Sequence, residues 1–223
     1  MFESILGKTL KTPLFNLIEP IPKIVTTYYG KPSTGKTNIL LSLSVNYAQQ
    51  GKKVLFVDVD GGFSIARIKQ MLGKNDVESV LNNIYVASPR TFEEQMREIK
   101  NLRKTVERDQ ISLVIIDSII LLYRLELGEN FQDINRELGK QLAGLCDVAR
   151  TFKIPVIVTN QVREWNNKEE MVGGDILKYW SKIIFKVEKT NKAYNISVLR
   201  HITLPQGVGC DFRIVDAGLE EIV

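Results

Sequence analysis

The sequence predicts an α/β fold with a mainly parallel central sheet and helices on both of its faces, and three features carry that prediction. Short β-branched, apolar runs alternate with longer stretches of helical periodicity, as strand–helix–strand crossovers require. The first of these runs passes through a glycine-rich turn, GKPSTGKT, straight into the first helical stretch. From residue 181 the texture changes to SKIIFKVEKTNKAYNISVLRHITLPQGVGCDFRIV, three strand-like runs with turn signals and no helix between them. That predicts an antiparallel extension at one edge of the sheet.

Taken in order, strands are expected at KIVTTYYG, KKVLFVDVD, NIYVAS, SLVIIDS and IPVIVTNQ, each an apolar run bounded by turn or charged residues. Helices are expected at about 36–50, 64–72, 91–107 and 132–152, with Gly51 ending the first. The roughly 40 residues after position 181 are few for an independent core. The chain is therefore expected to be one domain, 1–223, with 1–22 as a lead segment and 181–223 as a β extension of the same unit.

Composition narrows the function classes. The 223 residues are 44% hydrophobic, enough for a sizeable core, and carry a net charge of +4 with a pI near 8.9. Such a balance permits attraction to nucleic acid without demanding it. Cys146 and Cys210 lie far apart without CxxC spacing, and His201 is the single histidine, so neither a disulfide framework nor a zinc site is expected. No apolar run reaches ~18 residues and no secretion signal is visible, which predicts a cytoplasmic protein without membrane association.

GKPSTGKT, Gly30 to Thr37, fits G-x-x-x-x-G-K-[ST] between an expected strand and an expected helix, the context a phosphate-binding loop requires. Gly30 and Gly35 would permit backbone conformations closed to other residues, so that the N–H groups of Lys31, Pro32's neighbours Ser33 and Thr34, and the start of the helix at Lys36, Thr37 and Asn38 surround phosphate oxygens. Lys36 would neutralise the β and γ phosphates, and Thr37 would coordinate Mg2+. ATP with Mg2+ is the cofactor set this implies. LVIIDS brings Asp117 to the C-terminal end of a buried strand, where ligands of open α/β sheets sit, as a second magnesium group. VLFVDVDGGF ends with Asp58 and Asp60, and VIVTNQV ends with Asn160 and Gln161, both pointing to the same crevice. There Asp60 would polarise the attacking water and Gln161 would sense the γ-phosphate.

In order and wording these motifs resemble the RecA-type recombinases, most closely the archaeal RadA family with its short, RadB-like paralogues. The pieces are GKPSTGKT, FVDVDGGFSIARI, LVIIDSIILLYRLELG, LGKQLAGLCDVARTFKIPVIVTNQV, GGDILKYWS and LPQGVGCDFRIVDAGLEEI, from about residue 22 onward. The resemblance implies a RecA-like P-loop NTPase core working in homologous recombination and DNA repair, nucleoid-associated, with Lys36, Asp60 and Gln161 catalytic. The family's catalytic glutamate falls at Asp60, one methylene shorter, which predicts slow ATP hydrolysis. Asp175 stands in GGDIL where the family has a histidine, and no N-terminal helical DNA-binding domain or docking phenylalanine motif is apparent before the first strand. An accessory partner of a RadA-type recombinase or of other recombination proteins, a homodimer rather than a long filament, is thus expected.

By the same resemblance, two mobile loops at about 124–136 and 163–178 touch single-stranded DNA. They supply Arg124 and Arg136, then Arg163, Trp165, Lys168 and Lys178. Cations would hold phosphates and Trp165 would stack on a base, opposed by the acids Glu169 and Glu170. Arg67 is expected in a helix-surface ion pair, the charges of 93–108 on a solvated helix face, and Cys146 in the core. A KaiC-like regulatory ATPase and a nucleotide-switched binding module are the alternative readings. VDVDGG lacks the two adjacent glutamates that mark the former.

Overall fold

The computed structural model describes residues 13–73, 76–128, 130–165, 168–191 and 193–222; the side chains of Pro13, Glu164, Trp165 and Lys168 lie outside that description. A short helix, α1 (Pro13–Ile18), precedes β1 (Val25–Tyr29), and the phosphate-loop sequence then leads into α2 (Lys36–Gln49). There follow β2 (Lys53–Asp58), α3 (Ile65–Leu72), α4 (Val77–Asn82), β3 (Ile84–Ala87), α5 (Phe92–Asp109) and β4 (Ile111–Asp117). The next stretch comprises α6 (Leu121–Leu125), α7 (Phe131–Phe152) and β5 (Val156–Asn160). After β5 come a hairpin, β6 (Val162–Trp165) and β7 (Lys168–Met171), then α8 (Gly174–Trp180), and last β8 (Ile183–Lys189), β9 (Tyr194–Arg200), β10 (Gly209–Val215) and β11 (Gly218–Ile222).

Nine strands form one sheet in the order β11-β10-β9-β8-β1-β5-β4-β2-β3. From β8 to β3 every pairing is parallel, and from β8 outward to β11 every pairing is antiparallel. The expected extension is therefore present, with one refinement: its first strand, β8, is also a parallel neighbour of β1. β11 was not expected, because GLEEI is too short and too acidic to read as a strand by itself.

Side chains alternate across the parallel strands, so one sequence run feeds two cores. Leu113, Ile115, Phe56 and Ile157 pack with Leu40 and Leu43 of α2 on one face. Val114, Ile116, Leu55, Val57, Val156 and Val158 pack with Leu102 of α5 and Leu142 and Leu145 of α7 on the other. Burial on both faces explains why these strands read as nearly continuous apolar runs. Helix ends follow the local chemistry: Ser64 and Thr91 cap α3 and α5 by accepting from the Arg67 and Glu94 amides at 3.2 and 3.1 Å. Gly51, at φ 71, follows the end of α2 as expected. Among the described residues no helix is long and apolar enough to cross a membrane.

Candidate functional site

The loop between β1 and α2 lies at the C-terminal edge of the parallel strands, and its two glycines are required for different reasons. Gly35 has φ +91, a left-handed conformation that disfavours any Cβ. Gly30 does not share it; a Cβ there would lie 2.0 Å from the Val187 carbonyl oxygen of β8, so only glycine lets loop and strand approach. The sequence expectation of unusual backbone at both glycines thus holds for Gly35, while Ser33, at φ 61, is the other left-handed residue of the loop. Because α2 starts at Lys36, its first unbonded amides open at this loop.

Lys36 is 8% exposed, and its ammonium donates to the carbonyls of Gly30 and Lys31 at 2.9 and 2.7 Å. Burial lowers its pKa, opposed by the carboxylates of Asp117 and Asp60. Thr37 Oγ1 donates to Asp117 Oδ2 at 2.6 Å, and Thr159 Oγ1 donates to Asp117 Oδ1 at 2.5 Å. Asp117 is 1% exposed; burial pushes its carboxyl up, against the two hydroxyls and the Lys36 ammonium, which hold it down. Thr159 was not singled out from sequence. Its one signal is a polar residue inside the apolar run VIVTN.

β2 ends at Asp58, so Asp58 and Asp60 do not share a strand face. The amides of Val59 and Asp60 turn back onto the Asp117 carbonyl at 2.6 and 3.0 Å. Asp58 accepts from the amides of Gly62 and Phe63 at 2.9 and 3.2 Å and so builds the turn. Asp60 enters the cleft, where burial and the neighbouring Asp117 raise its pKa while the Gln161 amide and Lys36 lower it. Asn160 and Gln161 also diverge. Asn160 donates to the Val172 carbonyl at 2.9 Å, tying the hairpin to β5, whereas Gln161 faces the cleft and accepts from Arg124 at 3.1 Å.

These groups line a cleft of about 390 Å³: every residue from Pro32 to Asn38, with Asp60, Asp117 and Gln161. That volume lies within the usual range of small-molecule sites. Lys31 is turned outward to Glu169 of β7 at 2.7 Å and is not part of the lining. Lys189, Tyr194 and Ile214 of the antiparallel extension complete the wall, and nothing in their sequence context marked them. Among the described residues Arg67 is engaged by backbone carbonyls and an amide oxygen rather than by the surface ion pair expected. It donates to the carbonyls of Val215, Asp216 and Gly218 and to Asn38 Oδ1, at 2.7, 3.2, 3.3 and 2.9 Å, clamping the β10–β11 turn against α2.

The second expected loop is a hairpin followed by a helix. Met171 packs with Tyr29 and Ile184, and Glu169 reaches Lys31 and Lys186, so the hairpin is seated beside the phosphate loop. Arg163 faces Glu170 at 4.0 Å, and Asp175 lies in the first turn of α8, where a carboxylate suits the helix dipole. Lys178 is exposed on α8. Trp165 and Lys168 end the two hairpin strands, with side chains outside the described set. In the first loop Arg124 joins Gln161, while Arg136 pairs with Asp133 at 3.1 Å on α7. Leu125, 75% exposed in the first segment, and Tyr179, 74% exposed just after the second, are large side chains that sequence reading passed over.

Known proteins agree with this architecture. The family model described as Rad51 matches residues 19–222. The DNA repair and recombination protein RadB of Methanococcus maripaludis strain C7 is 42% identical over 203 residues, 90% of this chain and 93% of that one. The protein of the same name from Methanocaldococcus jannaschii is 39% identical over 202 residues, 89% of this chain and 93% of that one. A crystal structure of the RadB recombinase superimposes with a TM-score of 0.80 at 36% identity, covering 92% of this chain and 93% of the other. The chain, similar over nearly its whole length to RadB proteins and built around a phosphate loop on a RecA-like sheet, belongs to the Rad51 family.

Proposed function

We propose that the chain is an ATP-binding, slowly hydrolysing accessory protein of homologous recombination and DNA repair that binds single-stranded DNA and modulates a RadA-type recombinase. The observation that carries this reading is the convergence of Lys36, Thr37, Asp60, Asp117 and Gln161 on one cleft at the mouth of the phosphate loop. Relatives named as DNA repair and recombination proteins support the setting. A homodimer, rather than a long filament, in the cytoplasm near the nucleoid belongs to the same proposal.

The donor set fits a hard divalent cation. The Thr37 hydroxyl and Asp117 carboxylate already meet at 2.6 Å, and both are oxygen donors of the kind Mg2+ takes alongside phosphate and water. Thr37 and Asp117 are the two protein groups that would hold the ion. When bound, it would neutralise charge on the phosphates. Lys36 and the α2 amides bind the same phosphates, exchanging the loop carbonyls for phosphate oxygens. Asp60 orients water, and Gln161 donates to the terminal phosphate. The short reach of Asp60 supports slow turnover.

The test is steady-state MgATP hydrolysis by wild type, Lys36→Ala and Asp60→Glu. Removing the Lys36 ammonium is expected to weaken MgATP binding roughly 10- to 100-fold, the worth of one or two charge-assisted hydrogen bonds. Asp60→Glu is expected to turn over faster than wild type. If it is no faster, the short aspartate does not explain slow hydrolysis.

A further inference from the structure

Gln161 stands between two groups of opposite sign. Its Oε1 accepts from the Arg124 guanidinium at 3.1 Å, and it lines the same cleft as Asp60, whose carboxyl its amide helps to hold down. A primary amide has one end that accepts and one end that donates, in nearly equal shapes. Which end faces the cleft is therefore decided by its neighbours. A guanidinium has donors only, so it takes the carbonyl end and leaves the NH2 end to the other side. That other side is the cleft, where the acceptors are the Asp60 carboxylate and any terminal phosphate oxygen.

We propose that Arg124 is a positioning residue that fixes the sense of the Gln161 amide, so that its NH2 group points to the Asp60 side of the cleft and recognises a terminal phosphate there. The proposal rests on the reading of the cleft as a nucleoside-triphosphate site and deepens it by naming what orients the phosphate sensor. Arg124 acts through Gln161. The main influences on Asp60 are burial, Asp117, Gln161, Lys36 and Asp58. Because Arg124 is exposed at the end of α6, a nucleic-acid phosphate that engages it draws on the same guanidinium that holds Gln161. The sensor and the 124–136 segment are thereby linked through one side chain.

Affinities of MgADP and of a non-hydrolysable Mg-triphosphate analogue, measured by calorimetry, test this without relying on turnover. Arg124→Met is expected to weaken the triphosphate about 5- to 10-fold while changing ADP affinity by less than about twofold, the size of one ordinary hydrogen bond lost through the sensor. Gln161→Ala is expected to do the same, and the double variant no worse than either single one. Arg124→Lys, which also has donors only, should recover most of the preference. An unchanged triphosphate-to-diphosphate ratio in Arg124→Met, or losses that multiply in the double variant, would overturn the proposal while leaving the nucleotide-site reading intact. Failure of wild type to bind either nucleotide would remove both.

Discussion

At Asp117 the needs of folding and of ligand binding oppose each other. The carboxylate sits at the end of a strand that is buried but for Ser112, and burial raises its pKa above the unfolded value even though Thr37, Thr159 and Lys36 pull it down. Its ionisation therefore destabilises the free protein at neutral pH. The penalty is relieved as pH falls through the raised folded-state pKa toward the unfolded value. Metal-nucleotide binding has the opposite dependence, since it needs the ionised form of Asp117, and Asp60 is shifted in the same direction. Asp117→Asn is expected to raise the melting temperature of the nucleotide-free protein at pH 7 by a few degrees and to abolish the further rise produced by MgATP. In wild type that MgATP-dependent rise should begin to fade at a pH above the ordinary carboxylate range as the solution is acidified. Thermal melts from pH 4.5 to 8 check both, and a less stable Asp117→Asn at pH 7 would contradict the account. Lys36 and Thr37 were legible in the sequence because the phosphate-loop pattern fixes their spacing, and Asp117 because it ends an apolar run that reads as a buried strand. Thr159, Arg67 and the divergence of Asn160 from Gln161 were not, because their partners lie 42, 148 and 12 residues away respectively.

Between elements, the closest constraint is the contact of the phosphate loop with β8. Gly30 leaves no room for a methyl group against the Val187 carbonyl. Gly30→Ala is expected to cost about 2–3 kcal/mol of stability, in the range of overpacked sites, and to weaken MgATP binding by displacing the loop. Denaturant unfolding and calorimetry check it; a variant as stable as wild type would show that β8 yields without cost. The parallel strands were readable as short continuous apolar runs, α5 and α7 because their apolar residues repeat the helical period over enough residues, and α2 from the phosphate-loop pattern that leads into it and the Gly51 that ends it. The β6–β7 hairpin was not. REWNNKEEM is charge-rich and has no strand period, and its pairing is supported by Met171 against Tyr29 and Ile184 and by Glu169 between Lys31 and Lys186. These exposed ion pairs each contribute at most about 1 kcal/mol.

Over the whole molecule, one sheet carries both halves of the candidate site. The parallel strands deliver Asp60, Asp117 and Gln161, and the antiparallel extension returns Lys189, Tyr194 and Ile214 to the same cleft, its last turn held by Arg67. The extension was foreseen as a change in sequence texture; that it closes over the loop could not be, since register and curvature decide it. The hairpin reaches Lys31 of the phosphate loop through Glu169, and α6 reaches Gln161 of the cleft through Arg124, so nucleotide and single-stranded DNA are expected to influence each other's binding. The most direct test measures single-stranded DNA binding by wild type and Lys36→Ala, with and without MgATP, at low and physiological salt. The account predicts salt-sensitive binding that MgATP changes in wild type but not in Lys36→Ala. Absence of DNA binding at either salt, with MgATP still bound, would contradict it and favour a regulatory ATPase that does not act on DNA.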